Sequence, residues 1–419
     1  MLKKAVLIST CAFLLSGCFG LGKGVTEAFL ESQTKNDTRL CEVWGTEFSG
    51  IEPYLHKDNG KMKVLMIHGV GEHLPGYATE FAEKLAKVLN LTVMSKQHKN
   101  IALTDSADKS KKLGNLRIER FLDKSQTKEL LFYELTWSEI TAKQKEVLAY
   151  DNSGEYSFRR AKINDLMKKF SNDTGPDPII YLGDSKNAIL AAFVQAFCWM
   201  TSGGWEQLPK EGAQSCSLNS LAPVQTIAHD HYAFVAHSLG SRITIDGLQF
   251  IAEKLGSAQQ QSHSEEQKQL AAVLKEKHIP IYMLSNQLPM LQLGRKLPQL
   301  YGKTAEYCQR SGAHYAERML AKTSIIAFSD PNDLLSYAIP ESFAEKYLDS
   351  RLCVEVTNIN INVARVFDVF GLGEVANPLD AHIGYDTDDR VVGLIAKGIG
   401  NENTADIVKQ RCRWIETID

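Results

Sequence analysis

The sequence predicts an α/β protein: a mostly parallel sheet covered by helices on both faces, with an inserted cap. Three observations point there. Short apolar runs rich in β-branched and aromatic residues alternate with stretches of helical periodicity along most of the 419 residues. The runs are apolar throughout, as strands buried on both faces require. The rhythm breaks once, between Trp137 and Tyr232, over far more residues than one crossover connection needs.

Taken in order, Lys63-Val64-Leu65-Met66-Ile67 reads as a buried strand that ends in His68-Gly69-Val70-Gly71. The spacing of apolar residues from Tyr77 to Leu89 predicts the first crossover helix, and Leu130 to Trp137 the next strand. The excursion that follows, about 138–228, is expected to form the cap. Within it Ile189, Leu190, Phe193, Val194 and Phe197 recur at helical spacing and make one apolar face. Packing into the core is the preferred reading of that face; roofing an acyl pocket or touching lipid is the alternative. Tyr232 to His237 is a strand followed by a helix through Ile243 and Leu248. Ile279 to Ser285, Ile325 to Phe328 and Cys353 to Val356 supply further strands, and Arg390 to Ile395 a last helix. No internal repeat is visible.

The chemistry sits at the ends of these strands, where open α/β sheets place their ligands. Ala236-His237-Ser238-Leu239-Gly240 joins a strand to a helix through a turn so tight that the serine is forced into a strained conformation with its hydroxyl projecting. Small residues two before and two after, Ala236 and Gly240, let strand and helix approach. Acyl transfer builds negative charge on a former carbonyl oxygen, and fixed N–H donors aimed at it usually contribute most to the rate. The glycines of His68-Gly69-Val70-Gly71 free the backbone for that purpose, and the N–H groups of Val70 and Leu239 are assigned to it. A serine hydroxyl needs a base, and the base a carboxylate that fixes its tautomer. His382 in Ala381-His382-Ile383 supplies the imidazole. For the acid, Asp333 is preferred over Asp330, with Asp380 a weak third because a residue two before His382 points away from its ring.

With this set in the order Ser, Asp, His, the sequence resembles the α/β-hydrolases of the lipase and serine-esterase kind. The matching pieces are His68-Gly69-Val70-Gly71, the turn around Ser238, Asp333 in Asn332-Asp333-Leu334-Leu335, and His382 in a loop ahead of the last helix. They sample the chain from about residue 63 to about residue 400. The resemblance implies Ser238 as nucleophile, His382 as base and Asp333 as its orienter, around a pocket that excludes water. Ala236 stands where the commonest pattern has glycine.

The N-terminus bears on location. Met1-Leu2-Lys3-Lys4 is basic and Ala5 to Leu15 is apolar but too short to span a bilayer, which reads as a signal peptide over 1–17. Leu15-Ser16-Gly17-Cys18 matches the bacterial lipobox, and resemblance to lipoproteins implies cleavage before Cys18 and lipid attachment to it. Several acyl chains on one residue anchor stably. Phe19 in place of aspartate favours, by the lipoprotein sorting pattern, the outer membrane facing the periplasm. Residues 18–40 then form a tether and 41–419 the hydrolase domain.

Composition excludes other classes. At 44% hydrophobic residues the chain can fill a sizeable core, and a net charge of −3 gives no electrostatic case for nucleic acid. Nine Lys or Arg against four Asp or Glu between Lys96 and Lys128 read as a solvated face in preference to a lipid-headgroup site. Setting aside Cys11 and Cys18, six cysteines remain, which allow fifteen pairings; Cys198 with Cys216 is favoured, since the Gly203-Gly204 and Pro209 loop between them gains from a staple. No cysteine spacing suggests metal, and His229 with His231 lacks further ligands, so no metal or cofactor is expected. Gly183-Asp184-Ser185 reads as a turn and helix cap, and His73 as an exposed loop residue in preference to a pocket-lining one. The expected activity is hydrolysis of carboxylic esters, with an ester or lipid as substrate and the membrane met through the lipidated N-terminus. Acyl transfer by the same residues, or a non-catalytic scaffold lipoprotein, are the alternatives.

Overall fold

Apolar strands pair where their backbone groups leave no other partner for N–H and C=O, and here they assemble one sheet of twelve strands. The computed structural model describes residues 40–55, 60–93, 98–153, 160–217, 221–256, 264–368 and 374–415. The expected signal peptide, Cys18 and the tether up to residue 39 lie outside the described residues. The strands are β1 (Cys41–Gly45), β2 (Lys61–Ile67), β3 (Thr92–Val93), β4 (Lys99–Thr104), β5 (Lys112–Leu122), β6 (Glu129–Thr136), β7 (Glu211–Gln214), β8 (His231–His237), β9 (His278–Leu284), β10 (Lys322–Ser329), β11 (Val354–Ile361) and β14 (Cys412–Ile415). A separate hairpin pairs β12 (Val366–Asp368) with β13 (Glu374–Ala376). The sheet order is β14-β1-β11-β10-β9-β8-β2-β6-β5-β4-β7, with β3 on β5. The central run from β11 to β6 is parallel throughout.

Helices that flank this sheet are α1 (Thr79–Val88), α2 (Glu139–Lys145), α3 (Lys162–Thr174), α4 (Pro176–Leu182), α5 (Lys186–Thr201), α6 (Leu239–Gly256), α7 (Glu265–Leu274), α8 (Pro378–Ile383) and α9 (Asp389–Lys397). Successive strand residues point to opposite faces, so each central strand feeds two cores. Leu65 and Ile67 of β2, Phe234 of β8 and Ile281 of β9 pack with α5 and α6 on one side. Val64 and Met66, Val235, and Tyr282 pack with α1 and α9 on the other. Each such side chain stabilises the fold by about 1.5–3 kcal/mol when removed from water. The α/β class and the double covering expected from sequence are therefore present.

Several details depart from expectation. The segment expected to form the cap, 138–228, is not one unit: α5 lies in the core, with Ile189, Phe193 and Phe197 buried, and β7 extends the sheet beside β4. That leaves α2, α3 and α4 above the carboxyl ends of the strands. The basic stretch between Lys96 and Lys128 folds largely as the antiparallel pair β4 and β5, with Leu116, Ile118 and Phe121 buried. Lys99 is itself buried and donates to the carbonyls of Trp205 and Leu208. Against the same loop, the fully buried Lys63 pairs with Asp230 at 2.8 Å and donates to the carbonyl of Gly203.

Cys198 is bonded to Cys216, as favoured from sequence, and Cys41–Cys412 and Cys308–Cys353 complete the pairing of the remaining six cysteines. The bond between Cys41 and Cys412 joins the adjacent strands β1 and β14. Because β1 runs antiparallel to β11 with Cys41 opposite Ile361, Leu40 emerges at the carboxyl end of the parallel strands. Its carbonyl accepts a hydrogen bond from Arg390 at the start of α9.

Candidate active site

Ser238 occupies the turn between β8 and α6 with φ = 54°, a left-handed conformation that costs a non-glycine residue roughly 1–3 kcal/mol. Its N–H bonds the carbonyl of Leu284 at the end of the neighbouring β9. Two glycines make room for the turn. A methyl group on Gly240 would meet the carbonyl oxygen of Ile67 at 2.4 Å, and one on Gly69 would meet the Ser238 Cβ at 2.6 Å. The turn is thus wedged against the end of β2. Ser238 is fully buried, and its Oγ has no hydrogen-bond partner among the described residues.

His382 lies on the short helix α8, capped at its N-terminus by the Asn377 side chain; the sequence had suggested a loop. Its Nδ1 is 3.0 Å from Oδ1 of Asp333, which follows β10. The same nitrogen is 2.9 Å from the hydroxyl of Ser285, which in turn donates to Oδ2 of Asp333 at 2.7 Å. Burial pushes the Asp333 carboxyl up, but the hydrogen bond and charge of His382 and the hydroxyl of Ser285 outweigh it and hold the group below its ordinary value. Asp330 does different work: Oδ2 accepts the N–H groups of Val363 and Ala364, and Oδ1 those of Asn332. Asp380 is exposed on α8, two residues from His382. The ring of His237 stands 5.2 Å from that of His382, and its Nε2–H donates to the carbonyl of His382 at 2.8 Å. That contact seats α8 against the residue next to Ser238. No hydrogen bond joins Ser238 to His382 in the structure.

The loop after β2 is rigidly placed. His68 donates from Nδ1 to the Gly69 carbonyl and accepts at Nε2 from the Trp137 N–H, so its ring is neutral and its tautomer set. Burial, and secondarily the charge of His73, pushes its pKa well below the ordinary value. Trp137 and His73 stack on its two sides, with centroids at 4.8 Å and 4.1 Å. Among the described residues nothing accepts the N–H of Val70 or of Leu239. The next two amides are occupied: Gly71 donates to Asp177 at 2.7 Å and Glu72 to Asp173 at 3.2 Å. These carboxylates come from α4 and α3, and Lys145 of α2 pairs with both, at 2.9 Å and 3.3 Å. The helices above the strand ends are thereby latched to this loop. Beside the latch, a cavity of about 320 Å³ is lined by His73, Leu74, Ser138, Ala142 and Ala149. His73 lines this cavity, where an exposed loop position was preferred from sequence.

Large apolar side chains are left in solvent around the same end of the sheet. Leu74 is 71% exposed, Ile179 73%, Leu293 78%, Leu334 74% and Ile383 51%, each from a loop or helix beyond a strand's carboxyl end. Isolated exposed apolar side chains are common on protein surfaces; of these, Leu334 follows Asp333 and Ile383 follows His382 directly in sequence.

The structure brings together His382 and Asp333, sets Ser238 at the end of β8 beside the His237 that contacts His382, and leaves the Val70 and Leu239 amides open. Sequence reasoning missed Ser285, Asp173 and Asp177. Ser285 had a signal: it terminates a buried strand as Ser238 does, and its φ of 49° repeats the same turn. The two aspartates had none, since nothing local ties α3 and α4 to a loop about a hundred residues away. His231 opens β8 at the opposite end of the sheet, against the Tyr54 ring, and His229 is exposed. Among the described residues no group of three His, Cys, Asp or Glu is placed to hold a metal ion, and no helix is long and apolar enough to cross a membrane. Gly183-Asp184-Ser185 is the turn between α4 and α5. Comparison with protein-family models, with curated proteins and with solved structures finds no match.

Proposed function

We propose that the chain is a serine hydrolase of the α/β-hydrolase fold that cleaves carboxylic esters through an acyl-enzyme. One observation carries the reading: an imidazole bound through Nδ1 to a buried carboxylate lies against the strand end that bears a serine in a strained, left-handed turn. Asp333 on Nδ1 fixes the tautomer that leaves Nε2 without a proton, as a base requires. His382 Nε2 takes the proton of Ser238 Oγ, and Oγ bonds to the ester carbonyl carbon. The N–H groups of Val70 and Leu239 hold the oxygen that becomes negative. His382 then protonates the departing alcohol as the C–O bond breaks, and water repeats the sequence to release the acid and restore Ser238. The bond between Ser238 and His382 is unmade at rest, as substrate-free sites often leave it.

The exposed Leu334 and Ile383, next in sequence to Asp333 and His382, support an ester with a hydrophobic acyl chain or a lipid. Three disulfides suit an oxidising compartment, and with the lipobox they support a place in the bacterial cell envelope, lipid-anchored through Cys18. Leu40, the first described residue, lies at the end of the sheet that carries the site, the end nearest the expected anchor in chain order. A panel of p-nitrophenyl esters from acetate to palmitate, assayed with wild type and Ser238→Ala, tests the reading. Hydrolysis that Ser238→Ala abolishes supports it; a folded wild type inert towards every ester contradicts it.

A further inference from the structure

Ser285 has no part in the acyl chemistry as set out above, yet its hydroxyl lies between two groups that do. We propose that Ser285 is a positioning residue, bridging Asp333 and the Nδ1 edge of His382 so that the imidazole is held with Nε2 turned to Ser238. The proposal rests on the reading of Ser238, His382 and Asp333 as a triad.

The proton inventory fixes the direction of each bond. An ionised carboxylate only accepts, so the single hydroxyl proton of Ser285 goes to Oδ2 of Asp333, 2.7 Å away. The lone pairs of Oγ are then free towards His382 Nδ1 at 2.9 Å. Nδ1 must carry its proton, because it also lies 3.0 Å from Oδ1 of Asp333. That N–H therefore meets two acceptors, one on each side, and three contacts among three side chains leave the ring little freedom to rotate. When His382 becomes imidazolium, the same two acceptors face its new charge.

The position also excludes the alternative that Ser285 is itself the nucleophile. It sits on the edge of the ring that Asp333 occupies, whereas a base takes a proton at the nitrogen opposite its orienting carboxylate. Nor is the hydroxyl needed to form the turn. The backbone there is held by its neighbours: Ser238 N–H bonds the Leu284 carbonyl and Asn286 N–H bonds the Phe328 carbonyl. At φ = 49° glycine would be the easier residue, so a serine is kept against a local conformational preference.

That conformation supplies the test. Ser285→Gly removes the hydroxyl while suiting the backbone, so loss of folding does not confuse the result; Ser285→Ala removes the hydroxyl alone. The measurements are kcat and KM for p-nitrophenyl butyrate, the rate at which a fluorophosphonate reacts with Ser238, and the thermal midpoint of the full chain. The expected result for Ser285→Gly is a fall of roughly 10- to 100-fold in kcat, the scale of a weakened proton transfer. KM stays unchanged, the phosphonylation rate falls in parallel, and the protein still unfolds cooperatively, with a midpoint no lower than that of Ser285→Ala. A Ser285→Gly protein with kcat within twofold of wild type overturns the proposal. So does a loss seen in Ser285→Ala alone with a lowered midpoint, which assigns the residue to the backbone turn. A wild type that phosphonylates on a residue other than Ser238 refutes the triad itself, a failure distinct from these because it appears before any Ser285 variant is made.

Discussion

Gly69→Ala is the substitution whose effect follows most directly from distance. Gly69 does not have a positive φ, so alanine meets no conformational objection there and the consequence is steric. The added methyl would lie 2.6 Å from the Ser238 Cβ, 3.0 Å from the His237 carbonyl oxygen and 3.1 Å from the Ser238 Oγ. Non-bonded carbons rest at about 3.5–4.0 Å, so the loop and the turn must part by roughly 1 Å. Neither is free to give. His68 is held between Trp137 and His73, and the Ser238 backbone is bonded to Leu284. Crowding of this kind costs about 1–3 kcal/mol of stability, and a 1 Å misplacement of a reacting group about 10²-fold in rate. Ester hydrolysis by Gly69→Ala should accordingly show kcat/KM reduced about 10²-fold in a protein that still melts cooperatively, a few degrees below wild type. Gly183→Ala is the control, since its methyl would find ordinary contacts of 3.6 Å and 3.7 Å to the carbonyls of Ile180 and Ile179. Wild-type kcat/KM in Gly69→Ala would refute the packing of this loop against Ser238.

Two further perturbations test the surroundings of the site. Burial, with the charge of His382 second, brings His237 down to about 3, so between about pH 6.5 and that value the unfolded chain holds a proton that the native state does not. Stability should fall as pH drops through this window, His237 contributing a slope of at most about 1.4 kcal/mol per pH unit. His237→Gln, followed by urea unfolding at pH 7, 5.5 and 4.5, should flatten the decline; an unchanged slope contradicts the assignment. Lys145→Met removes the cation shared by Asp173 and the fully buried Asp177, and breaking such a pair costs about 3 kcal/mol. Its unfolding midpoint should drop while Ser238 reacts faster with a fluorophosphonate, and a wild-type midpoint with a wild-type rate contradicts the latch.

The central strands and the Ser, Asp, His order were legible because each depends on local pattern. A run such as Leu65-Met66-Ile67 can only be buried, and a serine between Ala236 and Gly240 at a strand end announces a tight turn. Resemblance to esterases, whose acid stands a few residues past the strand before an apolar pair, favours Asp333 over Asp330, and it is Asp333 that His382 meets. What stayed hidden was decided by distant partners. β4 and β5 read as polar because alternate positions of that pair stay partly exposed, and the burial of Lys99 depends on carbonyls at Trp205 and Leu208. The helices over the site were one undivided cap in sequence, since only tertiary contact sends α5 to the core and binds α3 and α4 to the amides of Glu72 and Gly71. Ser285 lay in plain view at a strand end, but its importance comes from side chains 48 and 97 residues away.

The most direct measurement is the site of phosphonylation in the wild-type chain. A fluorophosphonate should react once per molecule, and peptide mass spectrometry should find the adduct on the Ser238 hydroxyl. Replacement of His382 by alanine should suppress the reaction without unfolding the protein. An adduct on Ser285 or elsewhere, or a folded protein that does not react at all, would contradict the assignment of Ser238 as the nucleophile.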